Sequence, residues 1–199
     1  MMDDDRDERE EEDTKRDIAP YVPRRPVMAV IGNGLAVDAA TEVVCVELGR
    51  RAVEAGFRLV TGGLGGVMAA VSRGGREATT WRDGDILGIL PGYEASTANP
   101  YVDIVVPTGM QIGRNILVVA MADVVVVVGG GAGTLSEIAV AWQLGKPVLA
   151  LATSGGWARQ LAGGRVDDRR SDRIVSVASA EEAVATAWET AGRGRGRGA

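Results

Sequence analysis

The stretch Asp123-Val-Val-Val-Val-Val-Gly-Gly-Gly-Ala-Gly-Thr-Leu-Ser-Glu137 decides how the rest of the chain is read. Five consecutive valines, with no polar alternation, read as a strand buried on both faces. The run stops at Gly129, Gly130, Gly131 and Gly133, and the apolar segment Ile138–Leu144 that follows reads as a helix. A strand, a glycine turn and a helix start present bare backbone N–H groups to an anion, because glycine lets the chain come close to a phosphate.

Outward from that stretch, strands alternate with helices. Val27–Ile31 reads as a strand ending in Gly32-Asn33-Gly34, and Asp38–Ala55 as a helix stopped by Gly56. Phe57–Thr61 is a second strand, followed by Gly62-Gly63-Leu64-Gly65-Gly66 and a helix from Val67 to about Ala78. Further strands are read at Asp85–Leu90, Val102–Val106, Lys146–Leu151 and Ile174–Val177, with a helix over Gln111–Ala122. A short helix is expected between Gly155 and Gly164, and Asp167–Arg173 reads as charged and exposed. Ser179-Ala180-Glu181-Glu182 is a capping-box signature opening a last helix to about Ala191. The pattern predicts an α/β, Rossmann-like, doubly wound and mostly parallel sheet of about seven strands, with helices on both faces. Such sheets bind ligands beyond the carboxyl ends of their strands. Three strands here end in glycine clusters, so all three clusters should share one edge.

The chain has 199 residues, enough for one well-cored domain, expected over residues 26–191. Residues 1–17 carry ten acidic and four basic side chains, so the net charge of −5 belongs to that tail and the remainder sums to +1. Residues 1–25 are expected to be a disordered acidic tail with a Pro-rich lead-in, and 192–199 a flexible Arg-Gly tail. A near-neutral body argues against a nucleic-acid surface. Histidine is absent, which removes Ser-His and Cys-His catalysis and imidazole metal sites, and the single Cys45 excludes an internal disulfide or a thiolate cluster. No apolar run is long enough to span a bilayer, and the first residues are acidic, unlike a secretory signal, so a cytoplasmic protein is expected.

The glycine turns fit two common fingerprints poorly. Gly32-Asn33-Gly34-Leu35-Ala36-Val37 lacks the third glycine of the dinucleotide motif, and Val60-Thr61 supplies no acidic residue for a ribose; no NAD is expected. Gly129–Leu135 lacks the Lys of a P-loop. Pyridoxal phosphate needs a lysine, and the two present, Lys15 in the tail and Lys146 at a strand start, are both off the glycine edge.

Gly130-Gly131-Ala132-Gly133-Thr134-Leu135-Ser136-Glu137 resembles the glycine-threonine-glutamate signature of the LOG-type proteins, long misannotated as lysine decarboxylases. Thr61-Gly62-Gly63-Leu64-Gly65-Gly66-Val67-Met68 resembles their second glycine turn, and Arg114 precedes Glu137 by 23 positions, like the family's catalytic Arg and Glu. The resemblance covers about residues 26–190. It implies a site for a small phosphorylated ligand built from Gly32, Asn33, Gly34, Thr61, Gly62, Gly63, Gly65, Gly66, Val67, Met68, Gly109, Met110, Arg114, Asn115, Gly129, Gly130, Gly131, Ala132, Gly133, Thr134 and Glu137. Enzymes of this superfamily are nucleoside 5′-monophosphate phosphoribohydrolases, in which Glu137 and Arg114 would be catalytic. A related branch holds the molybdenum-cofactor carrier proteins. Here Gly129 stands in place of the enzymes' Pro, Asn115 in place of their Lys, and Ile112 in place of their His; the chain looks more like the carriers. The expectation is therefore a carrier or sensor with no required cofactor and molybdenum cofactor or a nucleoside monophosphate as possible cargo. The alternative is the hydrolase.

Two further readings follow from local pattern. Thr134 to Glu137 has capping-box spacing, so Glu137 is either a site residue or a helix cap. The helices expected over 111–122 and 136–145 are apolar nearly all round, and Trp142 adds a flat face; packing through them into a homodimer or homotetramer is expected.

Overall fold

The computed structural model describes residues 24–35 and 37–195; the acidic tail through residue 23 and the last four residues of the Arg-Gly repeat lie outside them. Seven strands form one parallel sheet: β1 (Val27–Gly32), β2 (Arg58–Thr61), β3 (Ile86–Leu90), β4 (Ile104–Pro107), β5 (Val124–Val128), β6 (Val148–Leu151) and β7 (Val175–Val177). Their order is β4-β3-β2-β1-β5-β6-β7, so the winding reverses between β1 and β5. Six α-helices connect them: α1 (Ala39–Glu54), α2 (Val67–Glu77), α3 (Asn115–Met121), α4 (Ala132–Gln143), α5 (Gly156–Leu161) and α6 (Ala180–Arg195).

The valine strand shows why both faces must be covered. Val124, Val126 and Val128 enter one cluster with residues of α1, α2 and α6. Val125 and Val127 enter the other, with residues of α3, α4 and α5. A side-chain period of two therefore feeds two cores from one strand. Gly32 of β1 is level with Val128 of β5. On the other side Ala29 is level with Val60, so Gly63 leaves β2 at the height of Gly32. The three glycine turns thus leave the sheet together.

Several expectations are corrected. The helix expected over Gln111–Ala122 is a 3-10 turn, Gln111–Arg114, followed by α3. The last helix continues to Arg195, into the repeat read as a flexible tail. Its capping box is made with a shift: Ser179 Oγ accepts from the Glu182 N–H at 3.1 Å, and Glu182 accepts from the Ala178 N–H at 2.8 Å. Trp142 offers no outward face, being 2% exposed. Its indole donates to Asp167 at 2.7 Å, and the Arg170 guanidinium lies 4.5 Å above its ring. The Asp167–Arg173 segment, read as merely exposed, therefore clamps α4. The lead-in is also fastened, Arg24 to Asp123 at 3.0 Å and Arg25 to Asp85 and to the Phe57 carbonyl.

Candidate functional site

Beyond the carboxyl ends of β1 and β2 lies a cavity of about 530 Å³. Of the residues expected at a ligand site, Gly32, Asn33, Gly34, Gly62, Met68, Arg114, Asn115, Gly131, Gly133, Thr134 and Glu137 line it. Val30, Ile31, Leu35 and Leu64, which the motifs did not single out, complete the wall. Arg114 and Glu137 are the only ionisable side chains among the lining residues.

The remaining expected residues stand behind the wall or away from it. Thr61 is fully buried, and its hydroxyl accepts the Gly63 N–H at 3.1 Å, closing the second turn. Asn33 ties the turns together: its carbonyl accepts the Val67 N–H at 3.0 Å and its side-chain Oδ1 the Gly130 N–H at 3.1 Å. The Gly129 N–H goes to Ser154 Oγ at 2.7 Å. The N–H groups of Gly129 and Gly130, expected to face a phosphate, are thus taken inside the protein. Gly65, Gly66 and Ala132 shape the turns without lining the cavity. Gly109 and Met110 are not brought to it; Gly109 packs under the Tyr93 ring, and Met110 is exposed.

What remains available is the first turn of α4. The helix starts at Ala132 with Gly131 as N-cap and no side-chain cap. The capping-box reading of Thr134 is thereby corrected, since Thr134 lies inside the first turn and Glu137 one turn further on. The N–H groups of Ala132, Gly133 and Thr134 have no partner within the helix, and the partial positive charge of the helix start favours an anion there.

Arg114 comes from the opposite side, at the junction of the 3-10 turn and α3. Its Nη1 donates to Glu137 Oε1 at 3.3 Å and also to Asn115 Oδ1. Its Nε is buried with no hydrogen-bond partner. The guanidinium packs against Gly62, where a Cβ would come within 2.5 Å of Nη2, so a larger residue there would displace it. Asn115 in turn donates to Ser136 Oγ at 2.9 Å, which ties Arg114 to the first turn of α4. Glu137 is 6% exposed. Burial pushes its carboxyl up to about 7, against the opposing pull of Arg114.

Ser154 and Asn99 support the site and carried no motif, and Ser136 lay within one without being singled out. Asn99 holds the second turn by donating from Nδ2 to the Leu64 carbonyl at 3.0 Å. Ser154 had the weak signal of a hydroxyl just after a strand and before Gly155-Gly156; Asn99 had none. Lys146 is remote, its ammonium spent on the carbonyls of Ala120 and Ala122 at 3.1 and 2.7 Å, beside the start of β5.

With this geometry established, comparison places the chain among known proteins. The model of the SLOG cluster4 family matches residues 25–184. The solved structure of a protein called TM1055 is 34% identical, covers 82% of this chain and 99% of its own, and superposes with a TM-score of 0.73. The molybdenum cofactor binding protein of the phototrophic bacterium Rippkaea orientalis is 29% identical, over 84% of this chain and 98% of its own, with a TM-score of 0.72. The Moco carrier protein of Chlamydomonas reinhardtii is 30% identical, over 85% and 99%, with a TM-score of 0.69.

Proposed function

The chain belongs to the SLOG cluster4 family, and from that premise we propose that it is a binding or carrier protein for a phosphorylated, nucleotide-type ligand, with molybdenum cofactor as the favoured cargo. One observation carries this reading: the Arg114 side chain, 11% exposed, lines the cavity across from an uncapped helix start. Both are donors waiting for the same kind of group, an anion with several oxygens. A cavity of about 530 Å³ is of the size that encloses a mononucleotide or a pterin phosphate. The first turn of α4 and Arg114 would take the phosphate, while Leu35, Leu64 and Met68 offer apolar surface to a flat ring. Two structural neighbours whose names state that they bind or carry molybdenum cofactor support the choice of cargo.

The hydrolase reading is not favoured. N-glycoside cleavage asks for an ionised carboxylate at the anomeric carbon. Glu137 is instead engaged with Arg114, and burial raises its carboxyl well above the usual range. The decisive experiment purifies the protein natively and assays retained molybdopterin by the fluorescence of its oxidised pterin. Stoichiometric pterin that is lost in Arg114→Ala supports the carrier reading. Release of ribose 5-phosphate from AMP or a cytokinin monophosphate, abolished by Glu137→Ala, would overturn it.

We also infer self-association through the edge formed by the 3-10 turn, α3 and α4. Ile112 is 71% and Ile116 52% exposed, and Met121 and Leu144, at the ends of α3 and α4, are exposed as well. An apolar patch of this kind on a body with two filled cores is best explained by a second copy. Among the described residues no helix is long and apolar enough to cross a membrane.

A further inference from the structure

The carboxyl edge holds a second cavity, of about 330 Å³, on the far side of the Gly129–Gly131 turn. Asp38 and Thr41 at the start of α1, Leu151 at the end of β6, Thr153, Ser154 and Arg159 of α5 line it. The first cavity sits over β1 and β2, the second over β6, and the strand order reverses between them. In open parallel sheets a two-part ligand lies across this point of reversal.

Between the two cavities runs the Gly129–Gly130 backbone, held from each side by one polar side chain. Ser154, a wall of the second cavity, holds the Gly129 N–H; Asn33, a wall of the first, holds the Gly130 N–H. A Cβ at Gly129 would stand 3.5 Å from the Ser154 carbonyl oxygen and 3.6 Å from Asn33 Nδ2. The chain therefore crosses as bare backbone, with the amide donors of Asn33 beside it.

The chemistry of the second cavity is that of a phosphorylated sugar. Arg159 is exposed, makes only a 3.4 Å contact to the Ala152 carbonyl, and has no described carboxylate within ion-pair distance. Asp38 accepts from the Thr41 N–H and hydroxyl at 2.9 and 2.8 Å, which fixes a carboxylate with lone pairs left to receive sugar hydroxyls.

We propose that the groove continues over the Gly129–Gly130 backbone and that the second cavity takes the distal half of a diphosphate-bridged, dinucleotide-type ligand, with Arg159 as the residue that selects for that extension. The proposal rests on the reading that the first cavity holds a phosphorylated ligand. Arg159 on the distal phosphate and Asp38 on the distal ribose make the discrimination, and neither touches a mononucleotide in the first cavity.

Isothermal titration calorimetry with AMP and with diadenosine 5′,5′-diphosphate tests this on the full chain. One added charge-assisted contact corresponds to at least about a tenfold gain, so the dinucleotide should bind about tenfold or more tightly than AMP. Arg159→Ala should remove most of that margin and leave AMP affinity unchanged, and Arg159→Lys should restore part of it. Thermal melts of both variants separate a folding defect from lost contact. If AMP binds and the dinucleotide binds no better, or if Arg159→Ala weakens both probes equally, the extension is wrong and the first-cavity reading stands. If neither probe binds, the extension is wrong, while the first-cavity reading is decided separately by the retained-pterin assay.

Discussion

Arg114 and Glu137 are the pair on which the site turns. Replacing Arg114 with Ala should lower the affinity for a phosphorylated ligand by about tenfold to a hundredfold, the range of a hydrogen bond to a charged group. Arg114→Lys should recover little, because an ammonium cannot present two parallel donors; a binding isotherm for each variant decides. Glu137 predicts a pH dependence. An unfolded glutamate titrates near 4.5 and this one near 7. With the folded value raised, its contribution to stability is fully present below pH 4.5, is lost as pH rises through 7, and is constant above. The loss amounts to on the order of 3 kcal/mol. Glu137→Gln cannot titrate and should lack it, so urea unfolding at pH 5 and pH 8 should show the difference between variant and parent swing in the variant's favour. An identical pH profile in both proteins would sink the assignment. The 23-residue spacing of this pair was legible from the chain, but the direction of the Glu137 shift was not, since it depends on how much protein closes around one carboxyl.

Among the elements, α4 and the turn before it separate stability from binding. Gly130 has φ +109°, and a Cβ there would lie 2.6 Å from the Thr134 methyl. Gly130→Ala should therefore destabilise the fold by about 1–3 kcal/mol. Gly131 has φ −110° with nothing within 4 Å of a Cβ. Gly131→Leu should fold with at most about 1 kcal/mol of loss, while its side chain stands over the free N–H groups and cuts ligand affinity more than tenfold. A melt and a titration on each variant give the contrast, which equal effects of the two substitutions would contradict. The 111–122 segment shows where periodicity misleads. Its apolar spacing looks continuous, yet Gln111 takes φ +51° and the chain tightens to a 3-10 turn before α3 begins. That change of pitch, three residues per turn against 3.6, sets the angle at which Arg114 enters the cavity.

For the whole molecule, self-association is the prediction. Multi-angle light scattering should give at least a dimer, and Ile116→Asp, which places a charge at the centre of the exposed apolar edge, should give a monomer with an unchanged melt. A monomeric parent protein would refute the interface. Part of that expectation came from Trp142, and the structure removed it: the indole is held inward by Asp167 and Arg170, residues 25 and 28 positions away. The amino-acid sequence by itself determined the α/β class, the parallel winding and the shared edge of the three glycine turns. Those follow from local rules: the side-chain period of strands and helices, and the backbone freedom of glycine. Only the tertiary structure decided which donors are free. Asn33 and Ser154 take the N–H groups of Gly130 and Gly129, leaving the first turn of α4 and the cavity-facing part of Arg114 to a ligand. Those partners come from 97 and 25 positions along the chain. Which of them meet depends on how the loops pack over the sheet edge, and no local spacing encodes that.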